Sequence, residues 1–145
     1  MSLWKTRPDL ARIKQANQKT LMATIGIEVT EIGDDYVRGT MPVDARTHQP
    51  YGILHGGASV ALAETLGSYA AMLCCDPDYY VVGLDINANH VRAVASGTVT
   101  GTARPLHVGR STQVWEIRIE DEAGRLVCIS RLTMAVVPKQ AIPTS

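Results

Sequence analysis

Apolar and small side chains fill almost the whole circumference of one segment, from about Gly57 to about Cys75. The segment contains no proline and many good helix formers, so it predicts a long helix. A helix that is apolar on every side is typical of one enclosed by other elements of the fold. We therefore expect the rest of the chain to be arranged around this central helix.

Apolar and polar residues alternate in the segments that flank the helix, with the period of two that indicates β-strands. The clearest case is the segment around Trp115, where Trp115, Ile117 and Ile119 alternate with Glu116, Arg118 and Glu120. The full prediction is a loose arm over residues 1–8, a short helix over 9–20, the central helix, and six strands at about 25–31, 36–43, 79–91, 97–105, 111–121 and 125–137. We attach no chemistry to the short first helix.

The order of these elements defines the expected fold class. Short turns such as 33–35 and 121–124 join consecutive strands, which implies an antiparallel sheet. Such a sheet has to bury one face, and the central helix is the long apolar element that covers it. We predict an α+β fold in a single domain over residues 1–145, with a curved antiparallel sheet wrapped around one long central helix. Its uncovered edges and second face predict at least a homodimer.

Composition restricts the function classes. The chain has 145 residues, 46% of them hydrophobic and 19% charged, which excludes disorder and suits one globular domain. A formal net charge of zero argues against a nucleic-acid partner, and the dispersed histidines and three cysteines offer no metal-ligand spacing. We expect no metal, no signal peptide, no membrane span and a cytoplasmic location.

Glu64 is the only formally charged side chain between Arg46 and Asp76. A carboxylate in so apolar a helix carries a large desolvation cost, which indicates a partner or a function. Ser68 and Ala61 lie on the same face of the predicted helix, four residues after it and three before it. This stripe of small residues leaves room for one wall of a pocket. A structural ion pair or a subunit interface would also explain the glutamate.

The turn before the helix offers a second candidate feature. Gly56 and Gly57 permit a tight entry into the helix, where unpaired N–H groups carry a positive partial charge. Such groups hold a phosphate, a carboxylate or the developing oxyanion of acyl transfer. His55 stands at this turn and Gln49 on the loop before it. Separately these residues are typical of an ordinary turn and a structural histidine, whereas together they favour a functional site.

The run QPYGILHGGAS from Gln49 to Ser59, followed by Glu64, resembles the hotdog-fold acyl-CoA thioesterases of the phenylacetate-degradation type. The likeness continues through IGDD, MPVD, GLDINANHVR, RPLHVG and QVW and so covers nearly the whole chain. It is similar above all to the bacterial branch that contains 1,4-dihydroxy-2-naphthoyl-CoA hydrolase and the enterobactin proofreading thioesterase.

The resemblance implies a role for each residue of the site. Glu64 would act as nucleophile or general base, the Gly56 backbone would donate to the oxyanion, Gln49 and His55 would orient the acyl carbonyl, and Ser68 would hold water or substrate. In this family Gln49 and Gly56 come from one subunit and Glu64 and Ser68 from its partner, and dimers commonly pair into tetramers.

The resemblance also implies a site for coenzyme A, which enters as part of the substrate, so no cofactor is expected. The residues implied in binding its pantetheine and nucleotide are Gly83, His90, Val91, Arg92, Ala93, His107, Val108, Gly109, Arg110, Ser111 and Thr112. The Gly109–Thr112 portion departs from close relatives. Asp85, Asn87 and Asn89 form a polar row that we interpret as an inter-subunit contact.

The leading hypothesis is therefore hydrolysis of an aromatic or bulky acyl thioester, such as 1,4-dihydroxy-2-naphthoyl-CoA, a benzoyl-CoA-like compound or an acyl group on a carrier protein. A non-catalytic acyl-CoA-binding protein and a hotdog-fold hydratase or dehydratase are the alternatives. Tyr69, Met72 and Val82 are candidates for shaping the acyl pocket.

Overall fold

Within residues 2–141, the longest helix packs against a six-stranded antiparallel sheet. The structure is a computed structural model that describes residues 2–141. Its elements are α1 (Leu10–Asn17), α2 (Leu21–Ile25), β1 (Glu28–Ile32), β2 (Val37–Pro42), α3 (Gly56–Leu73), β3 (Tyr79–His90), β4 (Thr98–Val108), β5 (Thr112–Glu120), β6 (Leu126–Pro138) and a short 3₁₀ turn (Lys139–Ala141). The central helix and six strands of the sequence prediction are present, with ends shifted by at most three residues.

The six strands form one antiparallel sheet in the order β1-β2-β4-β5-β6-β3. β3 follows α3 in the chain but pairs with β6, so it is an edge strand of the sheet. One side of β3 is therefore left without a neighbouring strand. This confirms the predicted α+β class with one long helix packed against an antiparallel sheet.

The core lies between α3 and the inward side chains of the sheet. Leu62, Leu66 and Ala70 of α3 are fully buried, as are Trp115, Ile117 and Ile119 of β5. The helix lies very close to the sheet, because a Cβ on Gly39 or Gly101 would be 2.7 Å from a methyl carbon of Leu66. Strand alternation on one side and an all-round apolar helix on the other thus produce the core that the sequence pattern predicts.

The N-terminal segment corrects the expectation of a loose arm for residues 3–6. Trp4 stacks on the buried Trp115 with ring centroids 6.3 Å apart and donates from its indole nitrogen to the carbonyl oxygen of Gly33 at 2.7 Å. The backbone N–H of Lys5 donates to the carbonyl oxygen of Leu73, which covers the end of α3. The arm therefore packs on the core through a tryptophan that no periodic pattern revealed.

α2 is an element that the sequence did not predict. It occupies residues 21–25, of which 21–24 were left unassigned between the predicted first helix and first strand. A helix of five residues is too short to show a period of 3.6. Its local signal is Gly26, which ends the helix with φ at 78° in the left-handed region that favours glycine.

The β5–β6 hairpin turn depends on one carboxylate. Asp121 accepts from the backbone N–H groups of Arg125 at 2.9 Å and Ala123 at 3.0 Å and from the Arg125 guanidinium at 2.8 Å. The hydrogen bond from the Arg125 backbone is the main reason that the pKa of Asp121 lies below its usual 3.8. A lowered pKa in the folded state means that this contribution to stability is present above about pH 4 and is lost as the pH falls through the folded-state value.

We therefore expect Asp121→Asn to lower the melting temperature by a few degrees at neutral pH, because the neutral amide loses the charge-assisted part of these bonds. The difference from wild type should shrink as the pH falls through the folded-state pKa of Asp121 and vanish once that carboxyl is protonated. Thermal unfolding of both proteins from neutral to acid pH measures it. A difference that stays constant down to acid pH would contradict this account of the turn.

Candidate functional site

The loop before α3 holds its residues through a compact set of backbone hydrogen bonds. His48 forms a β-bridge with Leu54, and the N–H of Gln49 donates to the carbonyl oxygen of Ile53 at 2.8 Å. The side-chain oxygen of Gln49 accepts from the backbone N–H of Tyr51. Gln49 is thus on a loop held by hydrogen bonds, and its side-chain amide nitrogen has no acceptor among residues 2–141, so it can donate to a ligand.

His55 is the N-cap of α3 and its imidazole serves as the cap. Its Nδ1 accepts from the backbone N–H of Gly57 at 2.8 Å, which satisfies one of the unpaired donors of the first helical turn. A neutral ring that accepts at Nδ1 carries its proton on Nε2. The cap therefore sets the tautomer of an exposed imidazole, whose Nε2–H is left as a donor at the start of α3.

Glu64 lies in the middle of α3, half-buried, on one wall of a cleft of about 620 Å³. The other lining residues are Leu21, Met22, Gly57, Val60, Ala61, Thr65, Ser68, Tyr69, Met72 and Val81. Among residues 2–141 no basic side chain forms an ion pair with Glu64. The structural explanation by a salt bridge within one chain is therefore not supported, and the carboxylate faces an apolar cleft.

Gly83 of β3 makes room for that carboxylate. A Cβ on Gly83 would lie 2.6 Å from Oε1 of Glu64, a separation that real Cβ atoms do not show. The Glu64 side chain thus rests against the bare backbone of the strand that ends the sheet. Ser68, one helical turn after Glu64, lines the same cleft and lies near Met134, with its hydroxyl oxygen 4.0 Å from the sulfur.

One chain does not bring all five catalytic candidates together. Gly56 and Glu64 are eight residues apart on the same helix, which separates them by about 12 Å along its axis. Glu64 and Ser68 therefore form one half of the predicted site, in the cleft. Gln49, His55 and Gly56 form the other half, at the start of the helix.

The predicted coenzyme A residues are likewise divided into two groups, which lie near opposite ends of strand β6. His90 pairs with Cys128 of β6 and lies against Gly56, where a Cβ would be 3.0 Å from its Nε2. Thr112, the first residue of β5 after the 109–111 turn, pairs with Ala135 of β6. Seven residues along that strand place the two groups about 23 Å apart in one chain. Val91, Arg92 and Ala93 follow His90, whereas Val108, Gly109, Arg110 and Ser111 belong to the other end.

The structure also shows which pocket residues the sequence missed. Tyr69 and Met72 line the cleft as expected, but Val82 does not, and its neighbour Val81 takes that place. Val81 and Gly83 share the face of β3 that points toward α3, and alternation turns Val82 outward. Leu21 and Met22 were missed because they belong to α2, the helix that had no periodic signal.

The cysteines do not contribute a nucleophile. Burial raises the pKa of the Cys74 thiol to about 11 and raises the pKa values of Cys75 and Cys128. A thiol with so high a pKa carries almost no thiolate at neutral pH.

Within residues 2–141, no group of three or more His, Cys, Asp or Glu side chains is placed to hold a metal ion. No helix in that range is long and apolar enough to cross a membrane.

The fold and the cleft define a class of enzyme. The chain belongs to the Thioesterase superfamily, which it matches over residues 51–128, and it is a thioester hydrolase with the predicted hotdog fold. A crystal structure of a thioesterase from Haemophilus influenzae superposes with a TM-score of 0.92, at 51% identity, covering 94% of this chain and 95% of that one.

Two curated relatives carry more specific names. The chain is 50% identical to the 1,4-dihydroxy-2-naphthoyl-CoA hydrolase of Escherichia coli over 93% of its own length and 99% of that protein. It is 53% identical to the proofreading thioesterase EntH of Cronobacter turicensis over 93% of its own length and 98% of that protein. These matches confirm the resemblance inferred from the motifs.

Proposed function

We propose that this thioesterase hydrolyses aromatic acyl thioesters of coenzyme A, with Glu64 as the catalytic carboxylate. The observation that carries the proposal is the Glu64 carboxylate, which has no ion-pair partner among residues 2–141 and faces an apolar cleft large enough for a ring system. The name of the Escherichia coli relative supports an aromatic acyl-CoA, and that of the Cronobacter relative supports thioesters as substrates in general.

Hydrolysis adds one water across the bond between the acyl carbon and sulfur, giving a carboxylic acid and a free thiol. Glu64 can attack the carbonyl carbon to form an anhydride that water then cleaves, or it can take the proton of a water that attacks directly. In both routes charge develops on the carbonyl oxygen. The Gly56 N–H at the helix start and the Nε2–H of His55 are donors for that oxygen, and one such donor contributes about 3 kcal/mol.

A second copy of the chain would bring the two halves of the site together. β3 has a free edge, and strands of two copies can pair antiparallel along it. A two-fold axis between Ile86 and Asn87 would place His90 of one copy opposite Gly83 of the other. Gly56 lies against His90 and Glu64 against Gly83, so the oxyanion donor would face the carboxylate of the second copy.

The same arrangement would unite the two groups of coenzyme A residues. Thr112 and Val82 lie on either side of Ala135 in the sheet, and Val82 is next to Gly83. The segment 90–93 of the second copy would then run toward the turn 107–112 of the first. A homodimer with two shared sites therefore accounts for residues that are about 23 Å apart in one chain.

The test of this function is the release of free thiol from a panel of thioesters. The panel contains benzoyl-CoA, a naphthoyl-CoA, short and long aliphatic acyl-CoAs and an aryl group loaded on a carrier protein. We expect the highest kcat/KM for an aromatic acyl-CoA. Faster turnover of the aryl-loaded carrier protein or of an aliphatic member would overturn the substrate assignment. Binding of coenzyme A without turnover of any member would overturn the enzymatic account.

A further inference from the structure

We propose that α2 forms the wall of the acyl pocket that sets which acyl groups fit, and that a hydrogen bond between Asn17 and Tyr69 holds α2 in position. This inference rests on the proposed function, because it concerns the same cleft. It assigns a specificity-determining role to α2, which lies outside the 51–128 range that matches the superfamily.

Two apolar side chains of α2 line the cleft that contains Glu64. Leu21 is 59% exposed in the chain and Met22 is half-buried, yet both line the cleft together with Val60, Tyr69 and Val81. None of the five residues of α2 is buried in the core. Met22 and Ile25 pack partly against the core, whereas Leu21 is largely exposed, so Leu21 and the free face of Met22 are available to a ligand in the cleft.

The first anchor of α2 is a buried polar contact. Asn17, at the end of α1, is only 6% exposed, and its side-chain oxygen accepts from the hydroxyl group of Tyr69 on α3. Burial raises the pKa of Tyr69, so the hydroxyl keeps the proton that it donates. Thr20 continues the link, because its hydroxyl lies 3.8 Å from the sulfur of Met22. The contact thus joins the wall of the cleft to the helix that carries Glu64.

The second anchor lies at the other end of α2. The backbone N–H of Ile27 donates to the carbonyl oxygen of Met22 at 2.8 Å, and a Cβ on Gly26 would lie 2.7 Å from the ring of Pro42 in β2. These contacts fix the end of α2 next to β2, while Leu21 and Met22 line the cleft opposite residues of α3. The width of the cleft beside Glu64 therefore depends on side chains of α2 that can be changed without altering the catalytic carboxylate.

The experiment compares kcat/KM for a naphthoyl-CoA with that for benzoyl-CoA in Leu21→Ala, Met22→Trp and Tyr69→Phe. A wider cleft in Leu21→Ala should favour the larger ring and a narrower one in Met22→Trp the smaller, each shifting the ratio by about tenfold. Tyr69→Phe keeps the ring but frees α2, so the ratio should move toward one, and the melting temperature should fall by a few degrees because the buried oxygen of Asn17 loses its donor. Leu10→Ala on α1 is the matched control, since Leu10 is exposed but does not line the cleft.

The outcomes separate this inference from the function on which it rests. Opposite shifts in the ratio for Leu21→Ala and Met22→Trp, with Leu10→Ala equal to wild type, would support the inference. Unchanged ratios in folded variants that still hydrolyse both substrates would overturn it and leave the thioesterase function intact. If the wild-type protein hydrolyses neither aromatic substrate, the proposed function itself fails.

Discussion

Glu64→Gln is expected to lower kcat/KM for the best thioester by about 10³-fold or more, because the amide can neither attack the carbonyl nor accept a proton from water. The amide has the same size and removes a charge from an apolar cleft, so the fold should be retained or slightly stabilised. Thiol release under steady-state conditions measures the loss.

The control for this prediction is binding. Coenzyme A should bind the variant as it binds wild type, and the melting temperature should not fall. Thr65→Val is the matched control for a change in the cleft that leaves the carboxylate in place. Thr65 lines the same cleft on the same helix, and its hydroxyl already donates to the carbonyl oxygen of Ala61. Near wild-type hydrolysis by Glu64→Gln would show that another group performs the chemistry.

Gly83→Ala is expected to lower kcat by about 10²-fold, the cost of moving a reacting group by roughly 1 Å. The added Cβ would be 2.6 Å from Oε1 of Glu64, so the carboxylate has to leave its position against β3. Because the side chain of Glu64 can rotate into the open cleft, we expect the protein to fold with a melting temperature close to that of wild type.

A shorter acid distinguishes this steric effect from a loss of stability. In the wild-type background Glu64→Asp should be strongly deleterious, because the carboxylate is withdrawn by one methylene. In the Gly83→Ala background the same change should cost much less, since the shorter side chain avoids the new methyl group. Additive losses in the double variant would contradict the direct contact between the two positions.

The sequence predicted the framework of this fold because its pattern is strong at each long element. An all-round apolar helix and strict alternation around Trp115 each allow one interpretation, and both elements are present. Short elements without a period were missed. α2 and the packing of Trp4 depend on tertiary contacts with Tyr69, Pro42 and Trp115 that local patterns do not encode.

The candidate site was predictable in its residue types and less so in its geometry. A single charge in an apolar helix pointed to Glu64, and the structure places it on the wall of a cleft of about 620 Å³. Val82 was wrongly expected in the pocket because the sequence did not show which face of β3 points toward α3. A shift of one residue turns a side chain to the opposite side of a sheet. The distance between Gly56 and Glu64 became clear only once both residues were placed on one continuous helix, α3. The assignment of these residues to catalysis stays a prediction.

The measurement that tests the central claim most directly is complementation between inactive chains. The claim is that Glu64 of one chain acts with His55 and Gly56 of another. Chains carrying Glu64→Gln and chains carrying His55→Ala are unfolded together in equal amounts and refolded, and thiol release is compared with each variant alone. Random pairing predicts recovery of about a quarter of wild-type activity, because one site in four combines two intact halves.

A second mixture supplies the control. Glu64→Gln mixed with Gly83→Ala should recover nothing, because Gly83 holds the Glu64 carboxylate of its own chain. Recovery in the first mixture alone is the predicted result. Activity in the first mixture equal to the average of its two components would contradict a site shared between subunits.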